Sequence, residues 1–119
     1  MATLNLIKSA LEKIGKPVYY GRAEQLNGGD IWDYIVFARS TLASTGNKKG
    51  LADTYSVFIV QEEYIEDGFA EKVIEAMQTI PGVRLADGNM PYEYTTKPNA
   101  DVLLEILELD FVKPRKACS

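Results

Sequence analysis

The sequence of 119 residues contains no histidine, and its single cysteine, Cys118, is the second-last residue. Without histidine the chain lacks the commonest general base near neutral pH, the usual partner of a serine or cysteine nucleophile, and the most frequent metal-binding side chain. A single cysteine excludes an intrachain disulfide and a cysteine-rich metal site. Most hydrolase mechanisms are therefore disfavoured, and we expect no catalytic, cofactor-binding or metal-binding residues.

Excess positive charge and long apolar runs are also missing. The chain has 13 Lys and Arg and 17 Asp and Glu, which gives a net charge of -4. This charge disfavours binding to nucleic acid through a broad electrostatic surface. No apolar run approaches the roughly 18 residues that span a bilayer, and no basic stretch followed by an apolar run opens the chain. We expect no membrane partner, no free nucleic acid as the primary partner, and a chain that stays in the cytoplasm or leaves it inside an assembly.

What is present predicts one folded domain over residues 1–119. Apolar residues make up 46% of the chain and charged residues 25%, which is ordinary for a globular protein. A domain of this length buries roughly two thirds of the surface that its unfolded chain exposes. The chain is therefore long enough to form a core without disulfides or metal.

Apolar spacing and turn residues predict the elements. Two amphipathic helices are expected over residues 4–14 and 67–79, the second capped by Asp67, and strands near 18–20, 31–38, 54–61, 83–85 and 102–112. The last strand is apolar on both faces, which predicts a central position in the sheet. The predicted fold is a two-layer α+β domain in the order α-β-β-β-α-β-β, with both helices packed on one face of a mainly antiparallel sheet. The main core is expected to contain Ile7, Leu11, Val57, Ile59, Phe69, Val73, Met77, Leu104 and Ile106.

Two segments are the candidates for contact with another protein. Residues 40–53 are small, polar and glycine-bearing, and fourteen residues is long for a hairpin connection, so they predict a mobile arm that orders on a partner. The loop after Pro91 carries two tyrosines, a residue type enriched at protein interfaces. The predicted contact residues are Leu42, Asn47, Lys48, Lys49, Leu51, Tyr92 and Tyr94. The basic residues 113–119 are expected to be a short solvated tail.

Carboxylates and a glycine-bearing segment allow other interpretations. Glu62, Glu63, Glu66 and Asp67 precede the second helix, where its dipole favours negative charge, and their spacing does not match a calcium loop. Glu108 and Asp110 lie two residues apart on one strand, a geometry that permits acid and base roles in sugar hydrolysis, but an exposed acidic edge is the simpler interpretation. Residues 46–50 lack the spacing of a phosphate-binding loop.

The order of the elements and their residue patterns resemble those of the tail-terminator proteins of tailed bacteriophages, also called tail-completion or minor capsid proteins. The resemblance rests on the opening helix, the strand Val18-Tyr19-Tyr20, the strand over 55–61 that leads into the helix over 67–79, the turn Ile80-Pro81-Gly82-Val83, and the closing Leu/Glu-rich strand. It covers roughly residues 3 to 113.

The resemblance implies a non-enzymatic structural protein of the virion. Such proteins form a homo-oligomeric ring, often a hexamer, that terminates the tail tube and joins it to the head connector. The implied partners are further copies of the chain, the tail tube protein and the head-tail connector protein, with DNA only as passing cargo. The implied location is the head-tail interface of a virion assembled in the host cytoplasm. A small ligand-binding or regulatory α+β module and an enzyme that uses carboxylates alone are the alternatives.

Overall fold

The computed structural model of the chain describes residues 3–21, 32–44, 50–97 and 101–116. Two helices are present in these residues, α1 (Thr3–Glu12) and α2 (Phe69–Gln78). The strands are β1 (Val18–Tyr20), β2 (Asp33–Ser44), β3 (Gly50–Glu62), β4 (Arg84–Leu85), β5 (Tyr92–Thr96) and β6 (Leu103–Lys116). The α+β class and the mainly antiparallel sheet are confirmed. The sheet also contains β5, which the sequence analysis placed in a loop.

The strands form one sheet in the order β1-β2-β3-β6-β4, and β5 pairs with β6 on the side where β4 also pairs. Only β1 and β2 run parallel, while the other pairs are antiparallel. Strand β6 therefore has neighbours on both sides. Its apolar residues on both faces correctly predicted this central position.

The main core lies between the helices and one face of the sheet. Buried residues of α1 and α2 form a single cluster with alternate residues of the three long strands, because successive side chains of a strand point to opposite faces. The strand residues of this cluster are Ile35, Phe37, Tyr55, Val57, Ile59, Leu107, Leu109 and Phe111. We call this face of the sheet the helix face and the opposite one the outer face.

Seven of the nine predicted core residues belong to this cluster. The other two, Leu104 and Ile106, have the opposite strand parity and lie on the outer face. Leu104 is buried there and Ile106 is half-buried. Leu104 was therefore correctly predicted to be buried but not its face, and Ile106 was wrongly assigned to the core. Burial on the second face of a central strand looks the same in the sequence as burial under the helices.

Helix α2 begins after a glycine with a positive φ, and a second such glycine lies in the turn that follows its C-cap, Thr79. Gly68 is the N-cap with φ 90° and there is no side-chain capping bond, so the predicted cap by Asp67 is wrong. After the helix, the amide of Val83 donates to the carbonyl of Ile80 at 3.1 Å, and Gly82 has φ 83°. Proline followed by a left-handed glycine is the signature of a type II turn, which directs the chain from α2 into β4.

The three long strands extend beyond the helices. Strands β2, β3 and β6 have 12, 13 and 14 residues, or roughly 40 Å and more at 3.3 Å per residue. Each helix has 10 residues, or about 15 Å. The molecule is accordingly elongated, 52 × 27 × 26 Å.

This extension corrects the predicted arm and tail. Residues 41–44, 50–53 and 113–116 form three paired strand ends, which we call the tip. Most of the predicted mobile arm over 40–53 is therefore strand, and residues 45–49 lie outside the described residues. The predicted solvated tail is likewise strand up to Lys116.

A β-bulge separates the tip from the rest of β2. The pairing with β3 shifts between Arg39 and Thr41, and the extra residue, Ser40, donates its hydroxyl to the carbonyl of Thr54 at 3.1 Å. An extra residue reverses the alternation of faces. Before the bulge, the odd-numbered residues Ile35 and Phe37 lie on the helix face. After it, the even-numbered residues do, so Leu42 lies on the helix face with Leu51.

We predict that Leu109→Ala lowers the free energy of unfolding by about 3 kcal/mol, measured by urea denaturation. Leu109 is fully buried at the centre of the main core, and truncation of such a leucine loses both transfer free energy and packing contacts.

Leu103→Ala is the matched control, because it makes the same change on the same strand at a residue that is 46% exposed. It should cost under about 1 kcal/mol. Equal losses in the two variants would mean that β6 does not pack on the helices through the face described above.

Candidate interaction edge

Strand β5 is an exposed edge of the sheet. Within the described residues it pairs with β6 alone, and all five of its residues are exposed. Tyr92 and Tyr94 are 54% and 59% exposed and lie opposite Leu107 and Glu105. The two tyrosines were correctly placed at the surface, but they lie on a strand and not in a loop. An unpaired strand edge is a ready template for another strand.

Glu105 holds the middle of β5 in place. This carboxylate is 9% exposed and accepts two hydrogen bonds, from the Tyr94 hydroxyl at 2.8 Å and from the Ile65 amide at 2.8 Å. The hydrogen bond to Glu105 raises the pKa of Tyr94. Glu105 thus ties the edge strand to the segment that connects β3 with α2.

A second carboxylate, Glu62, holds the chain just after β5. Its Oε2 accepts a hydrogen bond from the Lys97 ammonium at 3.0 Å and one from the Trp32 amide at 2.6 Å. These donors, with the Trp32 amide contributing most, lower the pKa of Glu62. Lys97 is only 6% exposed, and a lysine so buried requires a paired charge. The β5 edge is therefore held at both its middle and its end.

Further exposed apolar side chains lie on β6 and on the segments that adjoin β3 and β5. Tyr64 is 64% exposed, Leu103 46% and Met90 38%. Beside Tyr92, an open groove of about 280 Å³ lies between α2 and the segment before β5, with Leu107 and Leu109 among its lining residues. Clustered exposed aromatic and apolar side chains are typical of protein contact surfaces.

On the outer face, the same edge is acidic. Glu108 lies beside Asp110, whose carboxylate accepts a hydrogen bond from the Ser56 hydroxyl at 2.8 Å. Burial, followed by the proximity of Asp110 and Glu93, raises the pKa of Glu108. None of the described lysines and arginines forms an ion pair with these three carboxylates.

Two further predicted contact residues, Leu42 and Leu51, belong to the tip. Leu42 is 53% exposed and Leu51 is half-buried, and the two are diagonal neighbours on adjacent strands. Asn47, Lys48 and Lys49 lie outside the described residues. Leu51 pairs with Arg115 and Tyr92 with Leu107, eight positions apart on β6, or about 26 Å. The structure therefore separates the predicted contact residues into two surfaces.

The sequence analysis missed the residues that hold the edge. Glu62 was interpreted as part of the acidic cluster near the dipole of α2, but it binds Lys97 and the Trp32 amide instead. No local pattern links a glutamate to a lysine 35 residues later. The alternation Tyr-Glu-Tyr-Thr-Thr, however, has high β propensity and could have identified β5 itself.

Comparison with protein-family models and with curated protein sequences found no significant match. In the described part of the chain, no group of three or more Cys, Asp or Glu side chains is arranged to hold a metal ion. Among the same residues, no helix has the length and apolarity to cross a membrane. Function is therefore inferred from the geometry of the surfaces and from the sequence.

We predict that Glu62→Gln destabilises the protein at neutral pH and that the difference from the wild type shrinks in acid. A carboxylate with a lowered pKa stabilises the fold above its unfolded pKa, and this contribution is lost as the pH falls through the folded pKa. Urea denaturation at a series of pH values measures it. A loss that stays constant below about pH 4 would contradict the charge-based role.

Glu108→Gln should behave in the opposite way. A raised carboxyl pKa means that the folded state binds more protons than the unfolded state, so stability falls as the pH rises through the folded pKa. The variant should therefore be more stable than the wild type at neutral pH and equal to it below about pH 4. Glu75→Gln, at an exposed position of α2, is the control, and a similar gain in that variant would refute the assignment to the acidic edge.

Proposed function

We propose that this protein is a non-enzymatic structural protein of a tailed phage, which forms a homo-oligomeric ring that terminates the tail tube and joins it to the head connector. The observation that carries the proposal is the β5 edge, where a strand with no second partner among the described residues presents two tyrosines to solvent. Strand β5 is short, with five residues, and carries Glu93, so its tyrosines, more than the open edge itself, favour a specific contact.

The way in which the edge is held supports assembly over an incidental exposed strand. Glu105 and Glu62 position β5 and the chain that follows it, so little ordering is required when a partner binds. A preorganised surface loses less conformational entropy on association. Tyrosines contribute large contact areas with few rotatable bonds, and Tyr92 and Tyr94 are of this type.

The phage assignment comes from the sequence resemblance, and two features are compatible with it. The net charge of -4 gives a subunit that repels DNA, as a passage for DNA requires. The elongated sheet offers separate surfaces at the tip and at β5, and a subunit that contacts neighbours on two sides needs two surfaces. In this proposal the virion is the site of action, and the tail tube and connector proteins are the partners.

The proposal is tested by measuring the mass of the purified chain by light scattering over a range of concentrations and by imaging it with negative-stain electron microscopy. A discrete oligomer with ring-shaped particles is expected. A monomer at every concentration would contradict the proposal and favour the alternative, a small ligand-binding module with the groove beside Tyr92 as its site.

We predict that the double variant Tyr92→Ala, Tyr94→Ala remains folded but weakens assembly at least about tenfold, since aromatic residues carry much of the energy of protein interfaces. The transition between monomer and oligomer in sedimentation velocity measures this effect.

The double variant Lys72→Ala, Glu75→Ala, on the exposed side of α2, is the control and should assemble like the wild type. Assembly of the tyrosine variant at wild-type concentrations would exclude β5 from the subunit interface.

A further inference from the structure

A small polar pocket lies on the helix face, between the start of α1 and the long strands. Its volume is about 220 Å³, which is below the range of about 300–1,000 Å³ that holds drug-sized ligands. Five of its six lining residues carry a polar or charged group, so the pocket suits a small polar ligand. The lining residues are Thr3, Leu4, Arg39, Asp53, Tyr55 and Lys113.

The strand register brings two cations of the pocket to the same face of the sheet. Arg39 is paired with Tyr55 across β2 and β3, and Tyr55 belongs to the core cluster of the helix face. Asp53 lies two residues before Tyr55 on β3 and is paired with Lys113 of β6. Residues directly opposite on neighbouring strands share a face, as do residues two apart on one strand. Arg39 and Lys113 therefore both lie on the helix face, although they are far apart in the sequence.

Lys113 is held in the pocket by contacts at both ends of its side chain. Its ammonium donates to the Thr3 hydroxyl at 2.8 Å. Its stem passes Gly82, where an added Cβ would lie 3.6 Å from the Lys113 Cγ. An ammonium group has three donors, so Lys113 can bind Thr3 and a ligand at the same time. A side chain that is already held loses less conformational entropy when the ligand binds.

The charges of the pocket are not balanced. No described carboxylate lies within ion-pair distance of Arg39 or Lys113. Asp53 is the one carboxylate among the lining residues, which leaves a surplus of one positive charge in a chain whose net charge is -4. The planar fork of an arginine matches the oxygens of a phosphate group, and a lysine adds a compact positive charge beside it.

We propose that this pocket binds a small phosphomonoester, whose phosphate group is held by Arg39 and Lys113. The pocket has room for a small organic group next to the phosphate. The Asp53 carboxylate supplies acceptor oxygens for hydroxyl groups, which favours a hydroxylated compound of the sugar-phosphate or glycerol-phosphate class. Binding at this pocket does not require the proposed ring.

Isothermal titration calorimetry with inorganic phosphate and with glycerol 3-phosphate tests the proposal. Both should bind saturably, and glycerol 3-phosphate should bind more tightly, whereas glycerol alone should not bind. Arg39→Gln and Lys113→Gln should each raise the Kd for glycerol 3-phosphate at least about tenfold, because each removes a charge-assisted hydrogen bond. Asp53→Asn should lower the Kd, because it removes the negative charge from the pocket.

Arg84→Gln is the matched control, and it should bind like the wild type. Arg84 is an exposed arginine of β4 and is paired with Val112, whose even number on β6 places both on the outer face. The variant therefore removes the same charge away from the pocket. Circular dichroism checks the fold of each variant. If Lys113→Gln unfolds the chain, Arg39→Gln, at an exposed position, decides the test.

Three results would overturn the proposal. The first is the absence of saturable binding of both phosphate compounds, and the second is an equal loss of binding in Arg39→Gln and Arg84→Gln. The third is a short oligonucleotide without terminal phosphates that binds more tightly than glycerol 3-phosphate and depends on Arg39, since it would assign the pocket to a nucleic-acid backbone. A monomer that binds glycerol 3-phosphate would refute the ring alone, and an oligomer without saturable binding would refute the pocket alone.

Discussion

The pairing of β3 with β6 is the constraint on which the rest of the structure depends. It runs in register from Gly50–Lys116 to Glu62–Leu104 and joins the middle of the chain to its end. On the side opposite β3, β6 pairs with β5 over residues 103–107 and with β4 over residues 111–112. The same ladder therefore sets the centre of the core, builds the tip and places the β5 edge. A shift of one residue would move every core side chain of β6 to the outer face.

The exposed surfaces arise because the strands are longer than the helices that cover them. Two helices of about 15 Å cover only part of strands that are roughly 40 Å long, so the strand ends remain as a tip with Leu42 exposed. At the other end of β6, Glu105 and the Glu62–Lys97 pair hold β5 in place while leaving its outer edge unpaired in the described chain. On the outer face, Glu93 and Asp110 lie close enough to Glu108 to raise its pKa, so this edge is acidic. The proposed assembly uses the surfaces that the helices leave uncovered.

Local patterns predicted the parts of this structure that local physics determines. The spacing of Ile7 and Leu11, or of Phe69, Val73 and Met77, fixes the buried face of each helix, and the double-sided apolar character of β6 marks a central strand. The bulge at Ser40, the partner of Lys97 and the face of Leu104 were not predicted, because each depends on which strands pair and in which register. Strand β5 was missed because its residues are exposed and flanked by prolines. Of the candidate contacts, Tyr92, Tyr94 and Leu42 are exposed, whereas the arm to which Leu42 was assigned is mostly sheet.

The central claim is that the β5 edge is covered by another copy of the chain in the assembled state. Hydrogen–deuterium exchange, followed by mass spectrometry at concentrations that favour the monomer and the oligomer, tests it most directly. The account predicts that peptides covering residues 92–96 and the tip strands exchange more slowly in the oligomer, while exposed residues of α2 exchange at the same rate in both. Unchanged exchange of residues 92–96 in a confirmed oligomer would contradict it.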